Sequence, residues 1–427
     1  GRFPARPAVN RRGGSGVSEP LSRPQEPNLA QPRFQDILVS AAVTYSHHLR
    51  KLRVLCASVV KKISMETNTP AIPSRTETIR GFKEAGGKIA AVLPIHYPRA
   101  LLRAFGLLPV EVWGPPRVDS SHGAAHLQPY VCSIALNALS FLLVGGLDVA
   151  DCIIVPHACD ALQGLGSLLL DFISPRQPVF PLYLPRGRRE SDLQFLADEF
   201  RALYARLERI TGRSPTDADL MKSIRREELA DGLLAELHRR RPSLPLDDLA
   251  FYRLIRSREY LPAEAFAELA RSVLETPPTD SSRGVPLILS GIVPEPMALL
   301  EAVARMGGTF VADDLACAGR RLYPPGDSED PFRRMAERIL NGPPDPTRGS
   351  PIAERADHLI GTAHKTGARG VVFYIIKFCE PELFDLPLLR RTLQEAGLPS
   401  LIVEVDLNDP LPQQVLTRIE AFLEVVG

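Results

Sequence analysis

From residue 88 onward, short apolar runs alternate with longer stretches in which apolar residues recur at helical spacing. A chain patterned this way satisfies itself by laying its runs into parallel sheets joined by helices. Residues 88–94, 110–113, 152–155 and 179–184 read as strands, with helices predicted over 98–107 and 131–144. From 191 to about 275 the texture changes. Phe195, Phe200, Leu203, Leu207 and Ile210 recur at helical spacing, and a second amphipathic run covers 216–241. Strand logic returns at 285–289, 309–312, 370–376 and 400–405, with helices predicted over 295–306, 386–396 and 413–426. The expectation is two α/β units, 65–190 and 281–427, flanking a cleft and separated by a helical insert, 191–280.

Residues 1–64 do not share this pattern. They hold 11 Lys+Arg against 3 Asp+Glu, a net +8 hidden in a whole-chain charge of only +1, and their first half is rich in Pro, Gly, Ser and Arg. A disordered basic leader is expected there. It lacks the apolar stretch and small-residue cleavage site of a secretory signal. The first methionine is Met65, and the natural start is expected at that residue. The rest of the chain carries 40 basic and 47 acidic residues, so no polyelectrolyte partner such as nucleic acid is expected. No apolar run reaches the ~18 residues of a membrane span. Six cysteines in 427 residues are too few for a disulfide scaffold, and a cytoplasmic protein with free thiols is expected.

Where the thiols fall is informative. Cys159 follows the strand 152–155, and Cys379 follows the strand 370–376. In open parallel sheets, ligands bind in the crevice beyond the carboxyl ends of the strands, so both stand at its rim. Cys132 opens a helix, whose positive end favours the metal-binding thiolate. Three thiols reaching one crevice suggest a soft-metal site, of the kind that holds iron–sulfur clusters. A free cysteine is also among the most buried residue types, and each is open to reading as a small core hydrophobe. That reading suits Cys152, at the far end of its strand and ~13 Å from Pro156. Cys317 follows a strand end too and is the rival for a ligand place. Cys56 lies in the leader and is set aside.

Seen in order, the segments PIHYPRALLRAFGLLPVEVWG, PYVCS, ADCIIVPHACDAL, GTFVADDLACAGRR, VVFYIIKFCEPELFDLPLLRRTLQEAGLPSLIVEVD and TRIEAFLE resemble the 2-hydroxyacyl-CoA dehydratase family over about 88–427. That family includes the homologous subunits of ATP-dependent benzoyl-CoA reductase. The chain departs from the family pattern at Glu380, where Asp is common, at Gln413-Gln414, and around Cys317. The fold expected is α/β, two Rossmann/flavodoxin-like parallel-sheet units with a helical insert between them. The resemblance implies that Cys132, Cys159 and Cys379 bind one four-iron four-sulfur (4Fe-4S) cluster, leaving one iron without a protein ligand. It implies a heterodimer with a homologous second subunit, and a separate ATP-hydrolysing iron–sulfur activator that supplies a low-potential electron. The chemistry implied is radical: a ketyl formed from the thioester carbonyl makes a β-hydrogen acidic, and (R)-2-hydroxyacyl-CoA loses water to give enoyl-CoA. Reduction of an aromatic acyl-CoA by a reductase-type subunit, or a non-catalytic electron-transfer scaffold, are the alternatives.

The remaining polar residues have two readings each. His96, Tyr97, His126 and His157 are positioned as acid–base candidates or as satisfied loop side chains. Asp313 and Asp314 end a strand, as a magnesium-binding pair or as caps for free backbone donors. Arg186, Arg188 and Arg189 form either a coenzyme A phosphate site or a solvated charged loop. Neither a Walker-type loop nor a G-x-G-x-x-G fingerprint occurs, so ATP hydrolysis is expected to reside in the activator.

Overall fold

The structure, a computed structural model, describes residues 71–277 and 284–427. The basic leader, with Cys56 and Met65, lies outside them.

Two four-stranded, fully parallel sheets carry the fold. The first contains β1 (Lys88–Val92), β2 (Leu107–Glu111), β3 (Cys152–Pro156) and β4 (Val179–Leu182), in the order β2-β1-β3-β4. The second contains β5 (Val285–Gly291), β6 (Gly308–Leu315), β7 (Gly370–Ile376) and β8 (Ser400–Val405), in the order β6-β5-β7-β8. The two sheets thus repeat one topology, with the switch in strand order between their first and third strands. Pro109 and Pro181 sit in the edge strands β2 and β4, where a missing N–H disturbs the ladder least.

The region between the sheets is helical. Glu190–Thr211, Asp217–Arg240, Asp248–Arg256 and Ala263–Leu274 follow one another without a strand. Thr216 opens the second with a capping box, its side chain bonding the Asp219 amide while the Asp219 carboxylate accepts from the Thr216 amide.

Because side chains alternate along a strand, each sheet buries two faces. One continuous core joins Ile89, Ala91, Ile153 and Val155 of the first sheet to Leu287, Leu289, Val372 and Tyr374 of the second, with Leu234, Phe251 and Phe266 of the helical region packed in. The opposite face of the first sheet, Ala90, Val92, Cys152 and Ile154, is covered by Leu196 and Phe200 and by Met335 and Ile339 of the helix Pro331–Leu340. The second sheet's far face packs Val371, Phe373 and Ile375 on helices Ile352–Thr366 and Glu380–Glu395. Among the described residues, no helix is long and apolar enough to cross a membrane.

Candidate metal centre

The carboxyl ends of the two sheets are tied together. Glu111, ending β2, accepts both Nη groups of Arg321, from the turn after β6, at 2.8 and 2.6 Å. Asn137 and Asn408 exchange amide hydrogen bonds at 2.9 Å, and the Leu407 amide donates to Ser133 Oγ at 3.2 Å. The cysteines stand along this seam.

Cys132, Cys159 and Cys379 each occupy the cap position immediately before a helix, namely Ser133–Leu143, Asp160–Leu168 and Glu380–Glu395. Cys159 and Cys379 are topological equivalents, each following the third strand of its sheet. Local geometry enforces these positions. Gly114, at φ 70°, runs so close over the first turn of the Cys132 helix that a Cβ would meet the Ile134 backbone at 2.7 Å. Phe378 takes a left-handed conformation, φ 62°, to turn the chain from β7 into the Cys379 cap.

Cys132 and Cys379 are buried and Cys159 is half-buried; none forms a disulfide. Burial pushes all three thiols up, Cys159 to about 12, so free of any partner they stay protonated at neutral pH. Charges on their neighbours add to this: Cys132 acts on Cys159, and both act on Cys379. In the opposite sense, the amides of Ile134 and Ala135 favour a thiolate at Cys132, those of Ala161 and Leu162 at Cys159, and that of Glu382 at Cys379. No full cap hydrogen bond is made to any of these sulfurs. Three thiols at helix N-termini, each with first-turn amides that favour its thiolate, suit a positively charged metal group. Among the described residues, no three His, Cys, Asp or Glu side chains are grouped to hold a single ion. Sulfurs on one zinc would lie within twice the ~2.3 Å bond length of each other. A polynuclear group, with each sulfur on a different metal atom, takes a wider set.

The other cysteines stand apart. Cys152 opens β3, fully buried in the far-face core. Cys317 is buried after β6, and the charges that act on it are those of Arg256, Glu259, Asp313 and Arg321.

The polar candidates are mostly engaged. His96, at φ 59° and 1% exposed, has Nδ1 2.9 Å from Tyr323 OH and Nε2 3.2 Å from both Thr347 Oγ1 and Asp345 Oδ2. Tyr97 OH donates to Glu111 at 2.7 Å and accepts from Arg99. His126 is exposed, and His157 stacks edge-on against Tyr183 at 4.6 Å. Asp313 and Asp314 point to different partners. Asp313 accepts from the Gly319 amide at 2.7 Å, a capping role, while Asp314 is clamped by Arg320 and Arg355. Arg188 pairs with Glu354 and Arg189 with Asp192 on an exposed loop.

Sequence reasoning missed the buried ionic groups. Arg320, Arg355, Asp314 and Glu382 form one at the foot of the Cys379 helix; Glu111 with Arg99 and Arg321 forms another. Asp314 reads as a magnesium ligand or a cap, and nothing in the sequence marks the charges at the other positions as buried.

With this arrangement established, known proteins supply its context. The family model for 2-hydroxyglutaryl-CoA dehydratase, D-component, matches residues 94–426, from just after β1 to the C-terminal helix, with all three helix-capping cysteines included. The (R)-phenyllactyl-CoA dehydratase beta subunit of Clostridium sporogenes is 26% identical over 366 residues, 82% of this chain and 94% of that one. The lactoyl-CoA dehydratase subunit beta of Anaerotignum propionicum is 27% identical, covering 80% and 93%. A benzoyl-CoA reductase subunit of Thauera aromatica is 24% identical, covering 81% and 93%. A match that covers 94–426, seven of the eight strands and the seam between the sheets, makes this chain a member of the 2-hydroxyglutaryl-CoA dehydratase D-component family.

Proposed function

We propose that the chain is the iron–sulfur subunit of a 2-hydroxyacyl-CoA dehydratase, corresponding to the beta subunits among its relatives. In this reading Cys132, Cys159 and Cys379 hold a 4Fe-4S cluster, and the chain takes part in dehydrating (R)-2-hydroxyacyl-CoA to enoyl-CoA. One observation carries it: three free thiols, each at the cap position of a helix, at the joined carboxyl ends of two equivalent sheets. A homologous second subunit, an ATP-hydrolysing iron–sulfur activator and an acyl-CoA thioester are the partners it requires.

When bound, such a cluster supplies one-electron transfer at a potential set by charge, hydrogen bonding and burial. The chain's own residues do the rest. The three thiols lose their protons on loading, so loading releases acid and strengthens with pH. First-turn amides of three helices offset the negative charge gathered at the sulfurs. The Asn137–Asn408 pair and the Ser133–Leu407 bond hold the Cys132 helix against the second sheet. Trp113, buried, donates its Nε1–H to Glu111 at 2.9 Å and so braces the carboxylate that binds Arg321 across the seam.

The test is anaerobic co-expression with the homologous subunit and activator, followed by assay of a panel of (R)-2-hydroxyacyl-CoA thioesters with ATP and a reductant. Formation of enoyl-CoA supports the proposal. Reduction of an aromatic acyl-CoA in its place favours the reductase reading that the Thauera relative suggests. No turnover of any thioester contradicts both and leaves the electron-transfer scaffold.

A further inference from the structure

Glu382 lies one helical turn beyond Cys379, its amide bonded back to the Cys379 carbonyl at 3.1 Å. Its carboxylate is wholly buried between two guanidinium groups: Arg320 Nη1 donates to one oxygen at 2.5 Å and Arg355 Nη2 to the other at 2.7 Å. The same arginines share Asp314, Arg320 through Nε and Nη2 at 2.9 and 3.1 Å, Arg355 through Nε at 3.1 Å. Asp345 lies 3.7 Å from Arg320, and Asp385, on the partly exposed rim, 3.6 Å from Arg355. None of the four central side chains is more than 1% exposed.

If the only need were to pin the helix, apolar side chains of similar volume would do it with less desolvation. Buried charges also act on their surroundings almost unscreened by salt. The nearest functional group along the helix is the Cys379 sulfur, on which Glu382 acts directly.

We propose that Glu382, Arg320 and Arg355 are positioning residues that set the reduction potential of the metal group held by Cys132, Cys159 and Cys379. This rests on the iron–sulfur reading above. Reduction adds one electron and makes or breaks no bond, so the group gains one negative charge. Glu382 makes that gain harder, and the two guanidinium groups make it easier. The present balance is a compromise between the two.

The measurement is a redox titration of the full chain, iron-loaded anaerobically, at pH 8. Titanium(III) citrate is the one-electron reductant, and the reduced state is followed by electron paramagnetic resonance. Glu382→Gln is expected to move the potential positive and Arg355→Gln to move it negative. Each shift is expected near a tenfold change in the oxidised-to-reduced ratio at fixed potential, about 59 mV for one electron. The charge-conserving Glu382→Asp and Arg355→Lys should stay close to the parent. Asp385→Asn, on the rim, should fold even if the buried variants do not, and should shift the potential positive by a smaller amount. A merely structural role would lower iron content or move all variants the same way. Iron-loaded Glu382 and Arg355 variants with unmoved potentials or with shifts of one sign, or, where those do not fold, an Asp385→Asn variant whose potential does not move positive, overturn the inference alone. A parent chain that takes up no iron overturns the iron–sulfur reading and this inference together.

Discussion

Glu111 and Arg321 form a bidentate ion pair across the two sheets, at 2.6 and 2.8 Å, with Glu111 wholly buried and Arg321 nearly so. Tyr97 OH and Trp113 Nε1 complete the coordination of the carboxylate, and Arg99 lies 3.5 Å away. Removing one member leaves the other charges buried without compensation. Glu111→Ala is therefore expected to lower stability by about 3–5 kcal/mol, read by chemical denaturation. The double change Glu111→Leu with Arg321→Met should be much less damaging than the sum of the single changes. If Glu111→Ala costs nothing, the two sheets are not held together by this pair.

Stability should depend on pH in two stages. Burial lowers the imidazole values of His96 and His238 below the ~6.5 of an unfolded chain. The unfolded state then binds more protons, so stability is full above ~6.5 and begins to fall as pH drops below it. Carboxylates follow. Against the upward push of burial, Arg320 and Arg355 hold Asp314 at about 2, and Glu111 and Asp345 are also held down by their partners. Their contribution is full above the unfolded value of ~4 and is lost as pH falls from there towards 2. Denaturation midpoints between pH 8 and 3 should show a plateau, then a decline, then a steeper decline. A stability maximum near pH 5 would contradict these assignments.

Cys152 serves packing. It is fully buried between the strand and helix side chains of the far-face core. Cys152→Ala should cost on the order of 1 kcal/mol in thermal or chemical unfolding and leave metal content unchanged. Iron loss in that variant would show that strand position is a poor guide to ligand position in this fold.

Much of this was legible in the residues. The strands β7 and β8 and the C-terminal helix Gln413–Val426 coincide with their apolar patterns. β2 begins at Leu107, three residues before the expected start, because Leu107 reads as the end of the preceding helix; Gly106, at φ 78°, follows the true end of that helix. The Cys379 helix begins at Glu380 rather than at 386. Pro381 and Pro387 look like breakers, yet Pro381 sits in the first turn, where a missing N–H goes unused. Helix Pro331–Leu340 escaped notice because four of its ten residues are charged, and Ile352–Thr366 because its apolar positions are small or scattered among polar ones. The rim positions of the cysteines followed from strand order. Their spacing did not, since it depends on how two sheets far apart in sequence meet. The Arg320–Glu382–Arg355 group was invisible for a related reason: sequence gives a charge its sign but not its burial.

The proposed function carries a consequence for assembly. A reactive radical intermediate must be shielded from water and oxygen, and a second subunit seated over the rim would supply that shield. Co-expressed anaerobically with its homologous partner, the chain should form a stable heterodimer burying about 2,000 Å² or more. Light scattering coupled to gel filtration gives the mass directly, and a persistent monomer would contradict the expectation.

The most direct measurement is the iron and acid-labile sulfide content of the anaerobically purified chain, set beside its single cysteine variants. The expected result is about four irons and four sulfides per chain, the composition of a 4Fe-4S cluster. Most of that iron should be lost in Cys132→Ala, Cys159→Ala and Cys379→Ala, and retained in Cys317→Ala. A colourless, iron-free parent protein would contradict the iron–sulfur assignment outright. Loss of iron in Cys317→Ala with retention in Cys132→Ala would contradict the choice of ligands.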